Sequence, residues 1–242
     1  MSNNYSSQKL AINIRPFEAS DYEVVAGIRN QIFHEYPLTT EEFSLIDKRR
    51  GPKYRFQRFV AESNGSIAGY SDYDQIHFMY HPQKFDINIF VQPAQQNQGI
   101  GTALYLHLFH TLKQFDPLTL RCGVREDAPQ TLRFVQKRDF QEAMRQWESH
   151  LDLCAFDFSR YDGHIERVEA GGIKLLPVSQ IPRNPENDRK LYDLTMMLEG
   201  DVPQPDPFTP IEYESFVERT FGHPDSSQRL FISPWMAAIM SA

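Results

Sequence analysis

The segment Asn88–Phe109, NIFVQPAQQNQGIGTALYLHLF, decides how the chain is read. It begins inside an apolar strand, FDINIFVQP, turns into a polar, glutamine-rich hinge, and passes through Gly99, Ile100 and Gly101 into a helix expected over Thr102–Gln114. In that helix Leu104, Tyr105, Leu108 and Leu112 repeat at helical spacing and mark a core face. A helix start leaves N–H groups without intrahelical acceptors and carries a partial positive charge of about half an elementary unit. Glycines beside it let an anion come close, so the joint suits a phosphate.

Two common nucleotide motifs do not fit these letters. A dinucleotide fingerprint needs a third glycine where Leu104 stands, and a P-loop needs Gly-Lys-Ser/Thr where the chain reads Gly101-Thr102-Ala103. What remains is Val91-x-Pro93, then Gln96-x-x-Gly99-x-Gly101, continued by Leu104.

Working outward, KLAINIRPF alternates like a half-buried strand, and Ser20 with Glu23 offers a capping box for a helix over Asp21–His34. TTEEFSLIDKRR opens a second helix. RFVAESNGSIAGYSDYDQ reads as a hairpin turning at Asn64-Gly65. After the joint come a strand in LTLRCGV, a helix opening at Pro129 in APQTLRFVQKRDF, and a long last strand in MRQWESHLDLCAF. The polar, glycine-bearing SRYDGHIERVEAGG reads as a linker over 159–171. From 172 to 242 the opening plan starts again: a strand in GIKLLPVSQ, helices in NPENDRKLYDLTMMLEG and TPIEYESFVERTF, and a strand in QRLFISPW, without a second glycine hinge.

The chain of 242 residues, 40% of them hydrophobic, has the length for one large domain or two small ones and enough apolar material for a core. A formal charge of −7 and a pI near 5.6 argue against a nucleic-acid partner, which would call for a concentrated cationic face. Cys122 and Cys154 are too few for a disulfide framework and lie in no C-x-x-C pair, so no metal is expected. No apolar run nears the roughly 20 residues that cross a bilayer, and the opening MSNNYSSQKLAINIRPF lacks the apolar core of a secretion signal. The expectation is a cytoplasmic protein with no membrane partner.

The Val-x-Pro, Gln-x-x-Gly-x-Gly pattern resembles the acetyl-CoA motif of the GNAT superfamily of N-acetyltransferases. IRPFEASDYEVVAGIR resembles that family's first strand and helix, and RFVQKRDF its last helix and turn. The resemblance covers about residues 8–158 and implies an α/β fold with a mixed central sheet flanked by helices, followed by a partial repeat of it. It implies acetyl-CoA as co-substrate and a primary amine of a small molecule or peptide as acceptor. The backbone of Ile89, Phe90 and Val91 would pair with the pantetheine arm. Gln96 and the amides around Asn97, from Gln98 through Gly99, Ile100 and Gly101 to Thr102, would cradle the pyrophosphate. The partial repeat, with apolar Leu191, Leu194, Met197 and Leu198 to cover, is expected to pack on the first domain or, in a homodimer, on a second chain, and to add no cofactor site.

The catalytic side chains follow the resemblance less closely. The family's F-Y-x-x-x-G-F becomes Phe134, Val135, Asp139 and Phe140, so Val135 replaces the tyrosine acid and Asp139 the glycine. Positions where relatives carry a glutamate base fall on Phe85 and Gly123. The carboxylates nearest the expected cleft are Asp86, Glu126 and Glu148, the base candidates. Tyr73 and Tyr80 are the candidate acids, and His81 stands nearby. Cys122 reads as a small buried hydrophobe. Two rival readings accompany the enzyme: a non-catalytic acyl-CoA binding or sensing module, and a truncated tandem acetyltransferase.

Overall fold

A computed structural model describes residues 11–221, in two compact units, Met1–Asp139 and Phe140–Ala242. The first is a five-stranded sheet in the order β1-β2-β3-β4-β5. Its strands are β1 (Ile12–Pro16), β2 (Phe56–Ser63), β3 (Ser66–Asp74), β4 (Lys84–Val91) and β5 (Thr119–Arg121). All neighbours are antiparallel except β4 and β5. The expected hairpin is present: Asn64 and Gly65 both take positive φ, 51° and 78°, which a tight turn between right-twisted strands requires.

Strand alternation sends side chains to two faces. On one, α1 (Tyr22–Ile32) and α2 (Thr40–Lys48) bury Val25, Ala26, Ile28 and Phe43 against Val60 and Tyr70. On the other, α3 (Ile100–Leu112) buries Ile100 and Leu104 against Ala61 and Ala68. The short α4 (Pro129–Gln136) sets Phe134 edge-on to Tyr105 of α3. α2 starts with a capping box, Thr39 accepting from the Glu42 N–H while Glu42 accepts from that of Thr39.

The Ser20/Glu23 box is corrected. The reciprocal pair is Glu18 and Asp21, around a single 3-10 turn at Ala19–Asp21 that precedes α1. Asp21 is held there by Arg15, which donates to both its oxygens at 2.7 and 2.9 Å. This contact between β1 and the helix entry outweighs the local preference of Ser20.

The long last strand is also corrected. Residues 141–150 form no regular structure, and Trp147 is 80% exposed. Among the described residues the second unit is helical, with α5 (His164–Ala170), α6 (Pro185–Asp201) and α7 (Tyr213–Phe221). So the expected linker carries a helix, and GIKLLPVSQ contains a 3-10 turn, Val178–Gln180, where a strand was expected. α6 and α7 pack through Tyr192, whose ring lies 5.4 Å from those of both Tyr213 and Phe216. QRLFISPW lies outside the described residues.

Candidate active site

β5 pairs over its whole length with the start of β4 alone, Lys84 with Thr119, Phe85 with Leu120 and Asp86 with Arg121. Beyond Asp86, no strand among the described residues pairs with that edge of β4. On its other edge β4 stays bonded to β3 as far as Val91. The Gln92 N–H donates to the Ala68 carbonyl at 2.9 Å, which fixes the phase of that ladder. Phe90 therefore exchanges bonds with Tyr70, while Ile89 and Val91 turn their N–H and C=O groups to the edge that β5 has left. The three expected strand residues thus separate: Ile89 and Val91 face the gap through their backbones, and Phe90 faces β3.

Gly69 makes this geometry possible. A Cβ there would lie 3.2 Å from Val91 Cα and 2.6 Å from the Phe90 carbonyl oxygen, the latter closer than a side chain can come. A β-bulge in the β2–β3 pairing, with Ala61 opposite Gly69 and Glu62 opposite Ile67, aims Ala68 and Gly69 at the end of β4.

The hinge follows directly. The Gln96 side chain donates to the Val91 carbonyl at 3.3 Å, Asn97 takes φ 62°, and Gly99 caps α3 at φ 90°, a conformation that favours glycine. The first intrahelical bond runs from Ala103 N–H to Gly99 C=O, so the N–H groups of Ile100, Gly101 and Thr102 have no acceptor within the helix. Ile100 is 1% exposed and packs with Ala61, Ala68, Ile89 and Val91, pinning the helix start to the sheet. Its contribution to a ligand is therefore its backbone.

Arg138, just past α4, was not singled out by the sequence. It donates to Thr102 Oγ1 at 2.9 Å and to the Phe134 carbonyl at 2.8 Å, with its guanidinium 3.5 Å from the Phe134 ring centre. A cation at a helix N-terminus adds to charge of its own sign, so the joint gathers positive potential. The N–H groups, the αL glycine and Arg138 are of the chemistry that could hold an anion such as a pyrophosphate.

The base candidates have separate surroundings. Asp86 accepts from Arg121 Nε at 2.8 Å across the last β4–β5 rung. Glu126 is exposed in the turn before α4. Glu148 belongs to the second unit, exposed on irregular backbone 3.6 Å from His150. Tyr73 is buried among Phe85 and Phe115, and burial pushes its hydroxyl pKa up. Tyr80 packs on Tyr54 in the loop before β4, at the other end of that strand from the hinge. His81 Nδ1 accepts from the Gln83 N–H in the same loop. Burial, and secondarily Asp86, raise the Cys122 thiol pKa, away from nucleophile character. Val135 is half-buried, and Asp139 adopts φ 61°, the left-handed conformation that the glycine of the resemblance would supply.

The first unit thus combines a mixed five-stranded sheet, a β4 edge without a strand partner beyond Asp86 and a helix capped by Gly99. Residues 22–140 match the model of the Acetyltransferase (GNAT) family. No curated protein matches the chain. Solved structures similar to it include a transcriptional regulator from Bacillus halodurans C-125, 18% identical over 58% of this chain and 100% of that one, with a TM-score of 0.48. An acetyltransferase of Trypanosoma brucei is 22% identical over 58% and 100%, with a TM-score of 0.44. A Salmonella typhimurium protein described as an acetyltransferase, solved with its cofactor acetyl-CoA, is 19% identical over 54% and 80%, with a TM-score of 0.46. Among the described residues no helix is long and apolar enough to cross a membrane, and no group of three or more His, Cys, Asp or Glu could hold a metal ion.

Proposed function

We propose that the first unit is an acyl-CoA-dependent N-acetyltransferase acting on a primary amine of a small molecule or peptide. The observation that carries this reading is that the β4–β5 pairing stops at Asp86, which leaves the backbones of Ile89 and Val91 on an edge without a strand partner, just before the hinge that leads into α3. Ile89 and Val91 would bond the pantetheine amides. Gln98 to Thr102, together with Arg138, would hold the pyrophosphate.

Acetyl-CoA supplies an acyl carbon activated by its thiol leaving group. In the transfer an N–C bond forms, a C–S bond breaks, one proton leaves the amine and one reaches the sulfur. A strand N–H at Ile89 or Val91 would donate to the carbonyl oxygen as charge gathers on it. With Val135 at the family's tyrosine position, the proton for sulfur comes from water or from a donor elsewhere.

Val135, together with the engagement of Asp86 by Arg121, favours a second reading, a domain that binds acyl-CoA without transferring the acyl group. Thiol release from acetyl-CoA over a panel of primary amines, paired with calorimetric titration of acetyl-CoA, separates the two. Amine-dependent release supports the enzyme. Binding without release by any amine assigns a binding module, and no binding refutes both.

A further inference from the structure

We infer that Asn88 orients the acceptor amine: its carboxamide oxygen, aimed by a buried charge relay, accepts an N–H of the incoming nitrogen. The inference rests on the acetyl-transfer reading above. Arg58, Asp72 and Asn88 occupy one rung across β2, β3 and β4, on the face covered by α1 and α2. Arg58 donates from Nε to Asp72 at 3.0 Å and from Nη1 to Asp47 of α2 at 2.6 Å, with its side chain 2% exposed. Asp47 also accepts from the Tyr22 hydroxyl at 3.0 Å. Asp72 is thus an ion-paired carboxylate, and a carboxylate only accepts hydrogen bonds.

That settles which way the Asn88 amide points. Nδ2 lies 2.9 Å from Asp72 Oδ1, so the amide nitrogen faces inward and Oδ1 is the outward arm. Asp72 is buried while Asn88 is exposed, so the amide carries an interior constraint to an open position. Asn88 follows the last rung that β4 shares with β5 by two residues and precedes Ile89, whose backbone turns into the gap. The β4 side chains flanking it on this face are otherwise engaged: Asp86 bonds Arg121, and Phe90 packs on Tyr70 and Phe33. Asn88 is therefore the polar acceptor that β4 offers where the acyl carbon would lie.

A carboxamide suits this task better than a carboxylate. Attack needs a neutral amine with its lone pair toward the carbon and an N–H directed away. A carboxylate beside the nitrogen would favour the ammonium form, whereas an amide oxygen accepts the N–H at much less cost to deprotonation. The ligand class that follows is an unhindered primary amine.

The test uses the full chain, 15N-labelled and saturated with CoA, which cannot transfer an acyl group. n-Butylamine is titrated in while the Asn88 side-chain amide signals are followed, with tetramethylammonium, which has no N–H, as the control cation. Saturable movement of those signals by n-butylamine alone is expected. Asn88→Ala should weaken n-butylamine binding about fivefold, the worth of one neutral hydrogen bond, with CoA affinity unchanged. Equal responses to the two cations, or n-butylamine binding untouched by Asn88→Ala, would overturn the inference. A chain that fails to bind CoA at all would sink the acetyl-CoA reading beneath it, and the CoA titration tells the two failures apart.

Discussion

Replacing Gly69 by alanine strikes the joint without touching a residue that meets a ligand. The new methyl would start 2.6 Å from the Phe90 carbonyl oxygen, and carbon–oxygen contacts in sheets settle near ~3.3 Å, so β4 must retreat by about 0.7 Å. The obstruction is backbone, which no rotamer change can relieve. The retreat moves Phe90 and Val91 away from β3, into the gap that Ile89 and Val91 face. Overpacking of this kind costs about 1–3 kcal/mol of stability. A misplacement near 1 Å at a reacting site costs up to about a hundredfold in rate, so kcat/KM for acetyl-CoA should fall by roughly ten- to a hundredfold. Thermal unfolding and thiol release measure the two effects. Gly27→Ala is the control: Gly27 lies in the middle of α1 with open space around it, and that change should add about 0.5–1 kcal/mol. A Gly69→Ala protein with the parent's melting point and kcat/KM would refute this account of how β4 is positioned.

Other positions yield independent predictions. Gly99→Ala meets no steric obstacle but must hold φ near 90°, so chemical denaturation should show a loss of about 1–2 kcal/mol, with weaker acetyl-CoA binding. Asp139→Gly relieves the same kind of conformation at φ 61° and should gain up to about 1 kcal/mol in the same assay. The Arg15 hydrogen bonds hold the pKa of Asp21 below its ordinary value, so the unfolded chain takes up that proton first as pH falls. Its contribution is full above the ordinary carboxylate pKa near ~4 and is lost as pH drops through the depressed folded value. Asp21→Asn should therefore lower stability at neutral pH and flatten the acid limb of a stability-against-pH curve.

The legible parts of the sequence were those where a local requirement has few chemical solutions. Asn64-Gly65 announces its turn because two successive positive φ values narrow the choice, and the hinge announces itself through Gly99. The last strand misled for the opposite reason. MRQWESHLDLCAF has strand-forming letters, but a strand exists only with a partner edge, and no local pattern supplies one. Gly69, Asn88 and Arg138 escaped notice because each gains its meaning from another element: the approach of β4, the buried Asp72 and the start of α3. Asp139 looked like a departure from the family pattern, yet it keeps the backbone conformation that the pattern's glycine serves.

The central claim is that the end of β4 and the start of α3 bind acetyl-CoA, and Gly101→Glu tests it most directly. A Cβ at Gly101 would meet only Phe134 and Val91 side-chain atoms at 3.4–3.8 Å, ordinary contact distances, and an acid in the first turn favours the helix. The variant should fold while placing a negative charge where the pyrophosphate would lie. Calorimetric titration is predicted to show one acetyl-CoA bound per parent chain and none per variant chain, with matching circular dichroism spectra. A parent that binds none, or a folded variant that binds as tightly as the parent, would contradict the account.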